Sequence, residues 1–165
     1  MTSIIKVDQI QLANGSTPTA ADLGLNVSGG ILNVHHVTSS TQTKPSSSGA
    51  WIDTAFTKTV TPTSSSSKFF VTFAAGGLVN NVQYVGIRIL RDSTEVSKNW
   101  SYHNRGETWN GIFNFAVQGL DEPSTNSDVT YKIQVYTSTN GNDYYFNYGG
   151  ANTGIANMTI FEIAG

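Results

Sequence analysis

Two Trp, one Tyr, one His, one Arg and three Asn fall within twelve residues, Asn99-Trp100-Ser101-Tyr102-His103-Asn104-Arg105-Gly106-Glu107-Thr108-Trp109-Asn110. Aromatic faces stack on sugar rings, and Arg and Asn side chains hydrogen-bond hydroxyl groups. Trp100, Tyr102, Arg105 and Trp109 are therefore candidate ligand-binding residues in what reads as a loop, with His103 a surface or contact residue. The same residue types anchor protein interfaces. Trp rings also cover the ends of sandwiches, because they bury a large area wherever they sit. Composition alone leaves all three roles open. Tyr144, Tyr145 and Tyr148 form a second cluster with the same ambiguity; a period of two puts Tyr144, Phe146 and Tyr148 on one face and Tyr145 on the other.

The titratable residues point away from catalysis. His35 and His36 are adjacent in an expected strand, so their side chains face opposite sides and cannot chelate one ion together. One of them from each of three subunits could meet on a three-fold axis. No second ligand accompanies them at two- or four-residue spacing, so no metal site is expected. Glycoside cleavage needs two carboxylates flanking one bond. Asp121-Glu122, just before Pro123, reads as a solvated loop tip, and alternation is expected to turn Glu162 outwards from an otherwise apolar strand. The chain has no cysteine, which excludes disulfides and thiolate ligands. It carries no nucleophile elbow or phosphate loop. The expectation is a non-enzymatic protein without a cofactor.

Candidate residues need a scaffold, and the composition indicates its class. Only 12% of the 165 residues are charged, about half the usual share of roughly 25%. Polarity comes instead from 18 Ser, 20 Thr, 15 Asn and 16 Gly, the turn-forming and strand-tolerant types of loop-rich all-β proteins. The net charge of −2 comes without a basic block, so the electrostatic footprint of nucleic-acid binding is lacking. No run approaches the roughly 20 apolar residues of a membrane span, and no signal peptide is expected. The four N-x-S/T sequons, at Asn14, Asn26, Asn99 and Asn157, are what an Asn/Ser/Thr-rich chain produces by chance. A chain of this length can bury roughly 70% of its unfolded surface, enough for one core.

From Ile31 onward the pattern is strand after strand. The expected strands are Ile31–Thr38, Trp51–Val60, Lys68–Ala75, Val82–Arg91, Glu95–Trp100, Trp109–Gln118, Val129–Thr137, Asp143–Tyr148 and Ile155–Ile163. Lys68–Ala75 is nearly all apolar, which suits a strand covered on both faces. Val129–Thr137 alternates, with Val129, Tyr131, Ile133, Val135 and Thr137 on one face. Asp92-Ser93-Thr94 and Asn140-Gly141 are hairpin turns. Thr38–Gly49 and Thr61–Ser67 are expected surface loops. The last strand is apolar enough to be central, and the first and last strands could lie side by side. Short strands at this spacing predict an antiparallel β-sandwich of jelly-roll type over residues 31–165.

Residues 1–30 stand apart. Ile4, Ile5, Val7, Ile10 and Leu12 form a compact apolar stretch broken by Lys6, Asp8, Gln9 and Gln11. Asn14-Gly15 is a strong turn pair. Pro18 ahead of Thr19–Leu23, with Gly24 beyond, punctuates a short helix. Such a segment cannot bury its own apolar side chains and needs another surface: its own domain, a sister subunit or a larger assembly.

The runs Ser3-Ile4-Ile5-Lys6-Val7-Asp8-Gln9-Ile10-Gln11 and Gly15-Ser16-Thr17-Pro18-Thr19-Ala20-Ala21-Asp22-Leu23-Gly24 resemble the start of virion structural proteins of tailed bacteriophages, notably those of marine bacteria. Val60-Thr61-Pro62-Thr63-Ser64-Ser65-Ser66-Ser67-Lys68 and Met158-Thr159-Ile160-Phe161-Glu162-Ile163 are similar to stretches of the same tail-fibre-like proteins. The resemblance implies a virion appendage whose segment 1–30 attaches to the particle through Ile4, Ile5, Val7, Ile10 and Leu12. Its partners would be other tail or capsid proteins and a host-surface glycan, without nucleic acid or membrane insertion. At the level of fold the strand pattern also resembles the trimeric jelly rolls of tumour necrosis factor and complement globular heads, which implies a homotrimer. A carbohydrate-binding tip and a purely architectural capsid decoration or head fibre both fit this reading.

Overall fold

The computed structural model describes residue 11 and residues 13–18, 28–45, 49–79, 83–103, 111–138, 144–147 and 156–165. Among them are nine strands: β1 (Ile31–Ser39), β2 (Trp51–Val60), β3 (Lys68–Val79), β4 (Gln83–Arg91), β5 (Thr94–His103), β6 (Gly111–Asp121), β7 (Val129–Thr137), β8 (Tyr144–Phe146) and β9 (Ala156–Ile163). They form two antiparallel sheets. One runs β1-β9-β3-β6, with β8 also paired to β3; the other runs β2-β7-β4-β5. Leaving β8 aside, this alternation between sheets is the strand order of a jelly roll, two Greek keys wound together. The expected all-β jelly-roll sandwich forms, with β9 central and β1 beside it in register from Ile31↔Ile163 to Ser39↔Ala156.

Alternation builds the core. In β7 the residues Val129, Tyr131, Ile133, Val135 and Thr137 are buried and those between are half-buried. Val85, Ile87 and Ile89 of β4, Phe69, Val71 and Phe73 of β3, and Met158 and Ile160 of β9 meet them from both sheets. Phe56 lies edge-on to Phe73 at 4.9 Å, and Phe73 stacks on Phe146 at 5.6 Å.

Two polar clusters tie the layers. Arg91 of β4 donates to both carboxylate oxygens of Asp121 at 2.8 Å, and Tyr131 Oη donates to Asp121 at 2.6 Å. The bond joins β4 and β7 of one sheet to β6 of the other. Burial and the Asp121 carboxylate push the Tyr131 hydroxyl well above its ordinary pKa. The second cluster centres on Glu162, fully buried on the inner face of β9. Asn33 Nδ2 donates to it at 2.7 Å, the Thr63 backbone N–H at 2.6 Å and Thr63 Oγ1 at 3.0 Å. Burial alone would raise its pKa, but the bonds from Asn33, Thr63 and Ser67 outweigh it and hold the carboxyl below its ordinary value.

Several local expectations are corrected. Glu162 points inwards, because continuing the alternation of Ala156, Met158 and Ile160 puts it on their face. Asp121 ends a strand longer than expected and is an ion-pair partner rather than a loop tip; only Glu122 is solvated, paired with Lys68 at 2.9 Å. β3 is fully covered on one face alone. Its outer residues Lys68, Phe70 and Thr72 are half-buried, and Ala74 is exposed. The expected loop from Asn99 begins as strand, since β5 pairs with β4 as far as Gln83↔His103. The 38–49 connection is tied down at Thr43, which exchanges two backbone bonds of 2.9 Å with Phe146. Asn147, buried at φ +52°, fastens the same corner by donating to the Ser39 and Thr41 carbonyls.

The Asn14-Gly15 turn is present, with Gly15 at φ +81° and the Ser16 N–H donating to Asn14 Oδ1 at 3.0 Å. At the start of the domain, Gly29 at φ +78° turns the chain beside the end of β9. The Gly29 N–H donates to the Ala164 carbonyl, and the Ala164 N–H to that of Gly30, both at 2.8 Å. The short helix expected at Thr19–Leu23 and the Asn140-Gly141 turn lie outside the described residues.

Candidate functional site

Among the described residues, the exposed aromatic side chains Tyr84, Trp100 and Tyr102 lie on the outer face of the four-stranded sheet. Cross-strand register puts Trp51 opposite Tyr136, Tyr136 opposite Gly86 and Gly86 opposite Trp100, one row across all four strands. Tyr84 faces Tyr102 in the adjoining row. Side chains on one face of neighbouring strands touch because the strands lie about 4.8 Å apart. Trp51 and Trp100 meet at 5.4 Å and 62°, Trp100 and Tyr136 at 5.0 Å and 76°, and Tyr84 and Tyr102 at 4.6 Å and 40°.

Gly86 makes this row possible. A Cβ there would stand 2.8 Å from a carbon of each Trp ring. Both rings lie over the bare backbone of β4. A glycine inside a strand commonly marks such a close approach.

The next row is polar: Asp53, Gln134, Arg88 and Lys98. The Arg88 guanidinium lies 4.4 Å over the Trp51 ring and donates to Gln134 Oε1 at 2.8 and 2.6 Å and to Glu95 at 3.2 Å. Lys98 pairs with Glu95 at 2.9 Å, and Lys132 with Asp53 at 3.0 Å. The Gln134 amide donates to Asp53 at 2.6 Å. Asp53 is held below its ordinary pKa chiefly by that Gln134 bond and then by Lys132; Glu95 is held down first by Lys98 and then by Arg88. Each charge of this row already faces an opposite one.

Of the expected ligand residues, Trp100 and Tyr102 come together on this face, 47% and 51% exposed. They project from a paired strand and not from a loop, and Trp100 is not a core residue. Arg105 and Trp109 lie outside the described residues, as do Ile4, Ile5, Val7, Ile10 and Leu12. The second aromatic cluster is separate: Phe146 is core, Tyr145 takes Lys44 over its ring at 5.0 Å, and Tyr148 lies outside the described residues. Sequence reasoning missed Trp51, Tyr84, Gly86, Arg88, Gln134 and Tyr136. The one local signal was Gly86 amid β-branched and aromatic residues.

His36 Nδ1 is 3.0 Å from Thr159 Oγ1, a contact within the other sheet. Among the described residues no three His, Asp or Glu side chains cluster as metal ligands, and no helix is long and apolar enough to cross a membrane.

The outer face of the five-stranded sheet has a different character. Val34, Phe161, Phe70 and Leu120 form one apolar row across β1, β9, β3 and β6. Val34 and Leu120 are 57% and 55% exposed. Beside this row lies a shallow groove of about 540 Å³, floored by Thr72, Ala74 and Ala116 and walled by Lys98 and Asn99.

No family model and no curated protein matches the chain. Among solved structures, the sandwich is similar to a chain of the T13 particle of infectious bursal disease virus, with 15% identity and a TM-score of 0.42 over 80% of this chain and 36% of that one. It is also similar to VP2 of the same virus in a subviral particle, with 14% identity and a TM-score of 0.36 over 80% of this chain and 41% of that one. This chain therefore spans about two fifths of those chains.

Proposed function

We propose that the chain is a bacteriophage virion structural protein, a fibre or appendage subunit. In this reading residues 1–30 attach it to the particle and the sandwich of residues 31–165 is presented outwards to the host surface. The carrying observation is how the chain meets the domain. The buried core of the described residues is built from side chains between Phe56 and Ile160. The chain turns at Gly29 beside Ala164 and continues into Ile31, Leu32 and Val34, which are 61%, 39% and 57% exposed. In sequence, this exposed apolar edge follows the segment that holds Ile4, Ile5, Val7, Ile10 and Leu12. A surface of that kind on a single subunit supports a role inside an assembly. The tail-fibre-like motifs supply the kind of assembly.

The apolar row Val34, Phe161, Phe70 and Leu120 favours a second, architectural component: a homotrimer, or a capsid-decorating subunit, packed through the five-stranded sheet. Light scattering of the full chain reads this directly, a trimer being expected and a monomer at micromolar concentration refuting it. For attachment, deleting residues 1–28 should leave a folded, cooperatively melting domain that no longer enters particles. Normal incorporation of the truncated chain would refute the attachment role.

A further inference from the structure

We propose that the outer face of the four-stranded sheet is a binding site for an uncharged glycan, whose sugar rings stack on Trp100 and on the Tyr84–Tyr102 pair. The site deepens the host-contact part of the function above and does not depend on particle attachment.

Three observations converge on this ligand class. First, Tyr84, Trp100 and Tyr102 are half-exposed, at 56%, 47% and 51%, on neighbouring residues of paired strands. About half of each residue is open to solvent, on strands fixed by their pairing. Second, the rings are stepped, with interplanar angles of 40–76°. A stepped surface suits the puckered C–H face of a pyranose better than a planar base. Third, the bordering charges are already satisfied: Arg88 and Lys98 by Glu95, Lys132 by Asp53. A phosphate, a uronic acid or an acidic peptide would have to break these pairs. An uncharged polyol would keep them and add to them. The Asp53 side chain is 60% exposed and has lone pairs free to accept sugar hydroxyls. A protein partner fits less well, since charged residues are depleted at the centre of protein interfaces and here lie directly beside the aromatic row.

The test is intrinsic Trp fluorescence and saturation-transfer NMR on the full chain. The probes are gluco-, manno- and galacto-hexaoses, with an oligogalacturonate as the charged comparator. We expect saturable binding of at least one neutral hexaose, unchanged between low and high salt. Trp100→Ala should weaken it by about tenfold or more, as loss of an aromatic anchor does. Thr38→Ala, on the opposite sheet and outside its apolar row, should leave it unchanged. Gly86→Ala, which keeps every aromatic residue but displaces the rings, should also weaken it and covers the case of a poorly folding Trp100 variant. No saturable response to any neutral hexaose would overturn the proposal. So would preference for the galacturonate, or wild-type affinity in both platform variants. Particle incorporation of the Trp100→Ala chain, measured separately, should be normal, which separates this site from attachment.

Discussion

Glu162→Gln isolates a single buried charge. The carboxylate accepts bonds from Asn33 Nδ2, the Thr63 N–H and Thr63 Oγ1 at 2.6–3.0 Å, with the Ser67 hydroxyl beside them. In the Gln variant one oxygen can still take the Thr63 N–H. The other becomes an amide nitrogen facing Asn33 and the Thr63 hydroxyl. The Asn33 amide can turn over and the hydroxyl can accept, so the contacts survive without the charge. Charged hydrogen bonds contribute about 1.5–3 kcal/mol each and neutral ones about 0.5–1.5; the loss of roughly 3–4.5 kcal/mol over the Asn33 and Thr63 bonds is partly offset because a neutral amide costs less to bury, which leaves about 2–3 kcal/mol. For a chain of this size that is roughly a 4–12 °C fall in melting temperature. The pH dependence fixes the cause. The Glu162 pKa lies below its ordinary value of 4.5 in the folded state. Its contribution is therefore fully present above pH 4.5 and fades as pH falls through the folded pKa. Calorimetry of both proteins should show a constant gap between pH 6 and 8 that narrows in acid. Equal melting temperatures at pH 7, or a gap unchanged at the lowest pH where both fold, would refute the reasoning.

Phe56→Ala, which empties a fully buried site against Phe73, should cost about 3–5 kcal/mol in urea unfolding. Trp100→Ala should cost clearly less, about 1–2 kcal/mol, because nearly half of that side chain is already in water. Tyr131→Phe removes the bond to Asp121 while leaving both Arg91 bonds, so denaturant unfolding should register a loss of about 1–2 kcal/mol. Gly86→Ala should cost about 1–2 kcal/mol, because pushing two packed Trp rings aside outweighs the roughly 0.5–1 kcal/mol that a strand alanine gains, and it should visibly alter the near-ultraviolet circular dichroism of the displaced rings.

Much of the fold was legible because a half-buried strand writes its two faces into alternate residues. β7 is the clearest case, and each of the nine strands among the described residues overlaps a strand expected from the sequence. The differences share a physical origin. A carboxylate belongs in water by default, which places Glu162 on the outer face, and local sequence does not show Asn33 and Thr63 coming to replace that water. Asp121 reads as a loop residue because its partner Arg91 lies on another strand. The polar residues from Asn99 onward hide a strand whose partner is β4. The aromatic face was half visible. Trp100 and Tyr102 stood out by local density, but Trp51 and Tyr136 join them only through register, which packing of the inner faces decides.

That dependence on register also makes the aromatic face rigid. Gly86 and Tyr136 sit on the two central strands of their sheet, directly in front of Val85, Ile87 and Val135, all fully buried. A shift of β4 or β7 by one residue would turn this core to solvent, so the backbone under the aromatic row is fixed by the same burial that folds the domain. Trp51 and Trp100 come from the two edge strands, β2 and β5, yet both rings lean inwards over Gly86 and are held there by Tyr136 and Arg88. The edge strands thus borrow order from the centre. A surface organised before its ligand arrives loses little conformational entropy on binding. With no cysteine in the chain, that order comes from the core and from the Glu162 and Asp121 clusters. The residues in these two clusters touch no part of the aromatic face, yet they help determine how well it is held.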